Sequence, residues 1–217
     1  KSPIVSKNTI RTVDRLAQRY NDKYSPQVIS HDTGTSLRHR VKNIFFNIRT
    51  RDKSCLNIHK CLELSLQSMD KNPSLAEIKF NFMLDYVDDH ELIESCKDSI
   101  LRYGHSFEDL KSVSLDELAS AVSRSFCAVA VVGSGAVLPT WIYCKPSLLH
   151  AETSHIRQLD TIWLRTSDFS AQNLYRLKDS DIVDAGDCPR GMPQYDNYTI
   201  NQCAFSNLFC KMIEENI

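Results

Sequence analysis

The sequence predicts an α+β protein, with a mainly helical part at 1–124 and a smaller part at 125–217 holding a few short strands and a closing helix. Three observations carry this. Apolar residues recur at helical spacing through the first half. A β-branched run, Phe126 to Val132, marks a change of character near Ser125. A last apolar stripe, Phe205, Leu208, Phe209 and Met212, returns to the helical period. No Gly/Ser-rich linker separates the parts, so one continuous domain fits nearly as well.

The elements follow in order. Ile10, Val13, Leu16, Ala17 and Tyr20 form one helical face, and residues 22–35, with Ser25-Pro26 and Asp32-Thr33-Gly34, read as a loop. Val41, Ile44, Phe45 and Ile48 match the i, i+3, i+4, i+7 template and predict a helix. Cys55, Ile58, Leu62, Leu66 and Met69 predict another, which Asn72-Pro73 ends, because Pro disfavours helical backbone before it. Ser74 is placed to cap a helix through Leu75, Ile78 and Phe82. Leu92, Ile93, Cys96 and Ile100 give a further helix that stops near Gly104. Ser114 and Glu117 form a capping box ahead of Leu115, Leu118 and Val122.

Beyond Ser125, Gly133-Ser134-Gly135 reads as a tight turn between a strand at 126–132 and an edge strand through Trp141-Ile142-Tyr143, with Pro139 holding it to the edge. Thr161 to Leu164 reads as a short strand, and residues 179–197 as turns. Thr199 and Gln202 predict the capping box of the final helix.

The net charge of −1 conceals a split. The first sixty residues carry thirteen Lys or Arg and four Asp; the remainder carries thirteen against 23 Asp or Glu. Such asymmetry points to an anionic partner, or to contact between the two halves. Wound as a helix at ~100° per residue, Arg38, Lys42, Arg49 and Lys53 fall within about 60° of one another, with Phe46 and His39 beside them. A line of cations edged by a ring suits phosphate contacts and base stacking. Arg38, His39, Lys42, Phe46, Arg49 and Lys53 are therefore the candidate nucleic-acid-binding residues.

No cofactor or metal is expected. The acidic run Asp85, Asp88, Asp89, Glu91 and Glu94 lacks the spacing and internal Gly of a calcium loop. Cys55, His59 and Cys61 have the right types for zinc, but Cys55 and Cys61 do not converge on a helix, and no Cys-x-x-Cys pair occurs. Gly133-Ser134-Gly135 is too short for a phosphate-binding loop or a nucleophile elbow.

Near the C-terminus, His150 and His155, then Asp160 and Asp168, then Gln194 and Cys203 follow one another. From Pro193-Gln194 to Phe209-Cys210 the chain resembles ubiquitin-like-protein-specific cysteine proteases, which implies a cysteine hydrolase with Cys203 as nucleophile. Ala204 stands where that family has Gly, and neither His is followed by Trp.

The leading expectation is a non-catalytic assembly or adaptor module, self-associating or binding a protein, with RNA or DNA as a second candidate partner through the basic stripe. The alternatives are the Cys203 hydrolase and a scaffold that contacts protein only. No apolar run reaches the ~18 residues that span a bilayer, so no membrane partner is expected. Eight cysteines, several inside apolar stripes, suit reduced thiols and a cytoplasmic or nuclear protein.

Overall fold

The computed structural model describes residues 41–159, 174–187, 191–192 and 195–217. The expected helix at 10–20, the loop at 22–35 and the strand at 161–164 lie outside them.

Six parallel strands form the central sheet: β1 (Lys42–Asn47), β2 (Phe80–Asp85), β3 (Ser106–Asp109), β4 (Cys127–Val131), β5 (Ser147–His150) and β6 (Leu174–Arg176), in the order β3-β2-β1-β4-β5-β6. The register pairs Ile44 with Phe82 on one side and with Cys127 on the other. Helices α1 (Ile58–Lys71), α2 (Glu91–Arg102), α3 (Leu115–Arg124), α4 (Ser134–Ala136), α5 (Thr153–Gln158) and α6 (Gln202–Asn216) connect or follow the strands. A small antiparallel pair, β7 (Ile182–Asp184) and β8 (Tyr198–Ile200), precedes α6.

Each face of the sheet has its own core. Ile44, Phe46, Phe80, Phe82 and Leu84 pack with Ile58, Leu62 and Leu66 of α1, Ile93, Cys96 and Ile100 of α2, and Phe205 and Phe209 of α6. Phe45 and Met83 point the other way, onto Ala119 and Val122 of α3 and onto Leu138 and Ile142. The alternation along a strand sends neighbouring side chains to opposite faces, and both faces are covered. The result is a doubly wound α/β protein of three layers.

This overturns the expected α+β class with a mainly helical part at 1–124. β1, β2 and β3 all lie there, and β1 pairs with β4 across residue 124. The physical reason is the burial. A strand covered on both faces reads as a continuous apolar run, not as an alternation. Ile44-Phe45-Phe46 is such a run, and so is Phe82-Met83-Leu84. Each meets apolar neighbours at helical spacing, Val41 and Ile48 for the first and Leu75 and Ile78 for the second, without being helical. The helix expected from Ser74 is instead a turn followed by β2.

Three locally encoded features hold, and two do not. α1 ends at Asn72, before Pro73. Ser114 and Glu117 make the reciprocal capping box of α3. Gly104 takes φ 71° just past α2. α6 begins at Gln202 with Asn201 as its cap, because Thr199 belongs to β8. The second strand expected after Gly135 is helical: α4 continues as π-helical turns over Val137–Ile142. Pro139 has no N–H to continue a regular ladder, and Tyr143 donates to Leu138 five residues back at 3.0 Å. Among the described residues no helix is long and apolar enough to cross a membrane.

Candidate ligand site at the carboxyl edge of the sheet

The chain leaves β1 toward β2 and leaves β4 toward β5, so neighbouring strands send their connections in opposite directions. In a doubly wound sheet the crevice at that point, outside the carboxyl ends of the strands, is where ligands bind. Here a crevice of about 240 Å³ opens there. Asn47 at the end of β1, Arg49 just after it, Asp85 at the end of β2, and Ser134 and Gly135 after β4 supply its polar wall; Phe45, Leu118 and Leu138 supply apolar wall.

The glycines serve this wall. Gly133 takes φ 113°, which L side chains rarely adopt, and turns the chain from β4 into α4. At Gly135 a Cβ would run into Asn47 Oδ1 and lie 2.9 Å from its Cγ. Asn47 is 5% exposed and donates from Nδ2 to Asp85 Oδ2 at 2.7 Å, so it has little room to retreat. Gly135→Ala is therefore expected to cost about 1–3 kcal/mol. In an Asn47→Ala background the same change should be nearly neutral. Urea melts of the four proteins in this cycle check it; equal costs in both backgrounds would show that the two residues do not collide.

Two cations meet this turn. Arg49 donates to Ser134 Oγ at 2.5 Å. Lys53 lies over the Tyr195 ring at 4.9 Å, and a Cβ on Gly133 would sit 3.6 Å from its Nζ. Asp85 brings a carboxyl to the same wall. Burial pushes its pKa up, while Asn47 and Arg49 pull it back. On the β2–β3 side the polar groups are already engaged: Lys97 bonds Tyr86 Oη and Asp109 Oδ2, each at 3.0 Å.

Two strands along, the end of β5 buries His150 and, two residues on, Glu152. His150 Nδ1 lies 2.7 Å from the hydroxyl of Tyr198, and burial drives the imidazole pKa down to about 3. Glu152 Oε1 takes the His155 ring nitrogen and Ser154 Oγ. Tyr198 feels both Glu152 and Arg49, which places these groups in one electrostatic neighbourhood. Along this edge Asn47 Oδ1, Arg49 Nε, Ser54 Oγ, His150 Nε2 and Glu152 Oε2 are buried without a hydrogen-bond partner among the described residues. Native interiors leave few such atoms, and each calls for a partner: an ordered water, an ion or a ligand.

The sequence candidates fare unevenly. Arg38 and His39 lie outside the described residues. The helical stripe is corrected: Lys42 to Asn47 is β1, a strand. Lys42 sits at the amino end of β1, donating to Ile217 O and lying over the Phe126 ring. Phe46 is wholly buried and has no face for a base. Arg49 and Lys53 do come together, at the carboxyl end and beside the Gly133 turn. Asp160, Asp168 and Gln194 lie outside the described residues. Cys203 is exposed on the first turn of α6, and among the described residues it bonds no histidine; His150 and His155 are held by Tyr198 and Glu152. Among the described residues no group of three or more His, Cys, Asp or Glu is placed to hold a metal ion.

Asn47, Asp85 and Glu152 went unread as site residues. Their only signal in the sequence is a polar residue closing an apolar run, as in Ile44-Phe45-Phe46-Asn47 and Phe82-Met83-Leu84-Asp85. Fold and crevice together define a doubly wound α/β protein with a candidate ligand site at its strand-order switch. No family model and no curated protein matches the chain.

Proposed function

We propose that this protein binds a phosphate-bearing small molecule at the carboxyl edge of its sheet. The observation that carries the reading is the convergence of Arg49 and Lys53 on the Gly133-Ser134-Gly135 turn; Arg49, Ser134 and Gly135 line the crevice at the strand-order switch, and Lys53 meets the turn at Gly133 beside it. Two cations and a hydroxyl suit a phosphate, and Arg presents a planar fork that matches phosphate oxygens. Asn47 Oδ1 and the Asp85 carboxyl are acceptors for donors elsewhere on the ligand. At about 240 Å³ the crevice approaches the roughly 300–1,000 Å³ of small-molecule sites. A crevice of that size fits a small ligand, and the oligonucleotide below tests the alternative of a nucleic-acid backbone. Neither the assembly-module reading nor the Cys203 hydrolase gains a specific observation of this weight.

Seven cysteines without disulfide partners among the described residues support a reducing compartment, cytoplasmic or nuclear, for this activity.

Titration calorimetry with pyrophosphate, ADP, glucose 1-phosphate and a single-stranded oligonucleotide tests the reading. At least one small phosphate should bind, and Arg49→Ala and Lys53→Ala should each weaken it by about ten- to a hundred-fold, since hydrogen bonds to charged groups contribute about 1.5–3 kcal/mol each. Silence from all the small phosphates at millimolar concentration would overturn it. So would tight binding of the oligonucleotide alone, which would make the partner a nucleic acid.

A further inference from the structure

We infer that the ligand is a phosphorylated sugar-type molecule, one of whose carbon-bound hydroxyls is held between His150 Nε2 and Glu152 Oε2. This rests on the phosphate reading above and adds the chemistry of the ligand's other end.

Tyr198 and His150 fix the proton positions. Both side chains are buried. The Tyr198 phenol, whose pKa burial pushes well up, keeps its proton. Among the described residues its hydrogen-bond partner is His150 Nδ1, at 2.7 Å. A phenol that donates to Nδ1 leaves the neutral imidazole's own proton on Nε2. Nε2–H is then a buried donor with no acceptor among the described residues.

Glu152 supplies the complement. It is completely buried, and its Oε1 is engaged by His155 and Ser154 Oγ. Its Oε2 has no donor among the described residues. Residues two apart on extended backbone project to the same side, and Glu152, at φ −63° and ψ 161°, continues the extended chain from β5. One side of the β5 end therefore presents an unmet donor and an unmet acceptor. Leaving such a group buried and unpaired costs about 1–3 kcal/mol, and more for a charged group.

The pair selects its partner. A phosphate or carboxylate only accepts and would be repelled by Glu152. An ammonium only donates and would leave Nε2–H unmet. A hydroxyl accepts from one and donates to the other. The spacing agrees as well. β5 lies two strands from β1, which at about 4.8 Å per strand is about 10 Å. A sugar phosphate or a nucleotide covers that span with its phosphate at Arg49 and its hydroxyls at Glu152.

Wild-type protein is titrated with pyrophosphate, ADP, 2′,3′-dideoxy-ADP, inorganic phosphate and glucose 1-phosphate, and Glu152→Gln with the same set. If the source is a nucleotide, ADP should bind about ten-fold or more tightly than its dideoxy analogue. If it is a hexose phosphate, glucose 1-phosphate should exceed inorganic phosphate by a similar factor. Glu152→Gln should erase that preference and leave pyrophosphate binding unchanged. If pyrophosphate binds but no hydroxyl-bearing probe gains over its hydroxyl-free counterpart, the hydroxyl inference is overturned and the phosphate reading stands. If no probe binds, the phosphate reading falls and takes this inference with it. Should Glu152→Gln fail to fold, the wild-type ligand pairs decide the matter alone.

Discussion

Replacing Phe46 with Ala is expected to lower the stability of the protein by about 3–5 kcal/mol. The ring is wholly buried near the carboxyl end of β1, 6.4 Å from the Phe82 ring on the neighbouring strand. It packs in the core shared with α1, α2 and α6. Its removal leaves a cavity that three helices and two strands would have to close together. Since domains are stable by only about 5–15 kcal/mol, the variant should melt in far less urea or fail to accumulate folded. The experiment also separates two roles for this residue. An exposed ring waiting to stack on a base could be removed within about 0.5 kcal/mol. A loss below about 1 kcal/mol would contradict the burial described here.

The second large effect is acid sensitivity through His150. Its folded pKa is lowered to about 3 by burial, against 6.5 for a free imidazole. The unfolded chain therefore binds a proton that the folded protein refuses. Stability from this group is complete above pH 6.5 and is lost as pH falls toward 3, by about 4 kcal/mol at pH 3.5. His105, lowered to about 4 by burial and by Lys79, acts in the same sense. Asp85, raised by burial, works oppositely across the carboxylate range. Urea midpoints between pH 7.5 and 4 read the slope. Against that background, His150→Gln should flatten the decline, whatever it costs at neutral pH. An unchanged slope would mean that the imidazole is not held neutral.

Part of this was legible from local pattern. The stop of α1 at Asn72-Pro73, the Ser114–Glu117 box and the apolar stripes of α1, α2 and α6 depend on neighbours within a few residues, and those neighbours are in the sequence. The strand at 126–132 was legible too, because its β-branched run is too short and too flat for a helix. β1 and β2 were not. Ile44, Phe45 and Ile48 satisfy a helical template, and Phe46 is apolar only because a second helix layer covers that face. Nothing within the segment records the covering layer. Reading β1 as a helix also displaced the site. On a strand rising about 3.3 Å per residue, Lys42 and Arg49 stand more than 20 Å apart at opposite ends, so the basic stripe dissolves.

The sequence by itself determined where four helices form, α1, α2, α3 and α6, and how α3 is capped, and it singled out Arg49 and Lys53 as cations, though on a helical stripe, and Gly133-Ser134-Gly135 as a turn. Only the tertiary structure decided that they belong together. β1 and β4 are some eighty residues apart in the chain yet hydrogen-bonded neighbours in the sheet, and their connections leave in opposite directions. That long-range pairing opens the crevice. It sets the two cations beside the glycine turn and leaves His150 and Glu152 buried two strands away. Parallel pairing is a property of the whole chain, because each strand is chosen by partners and covering helices far from it in sequence.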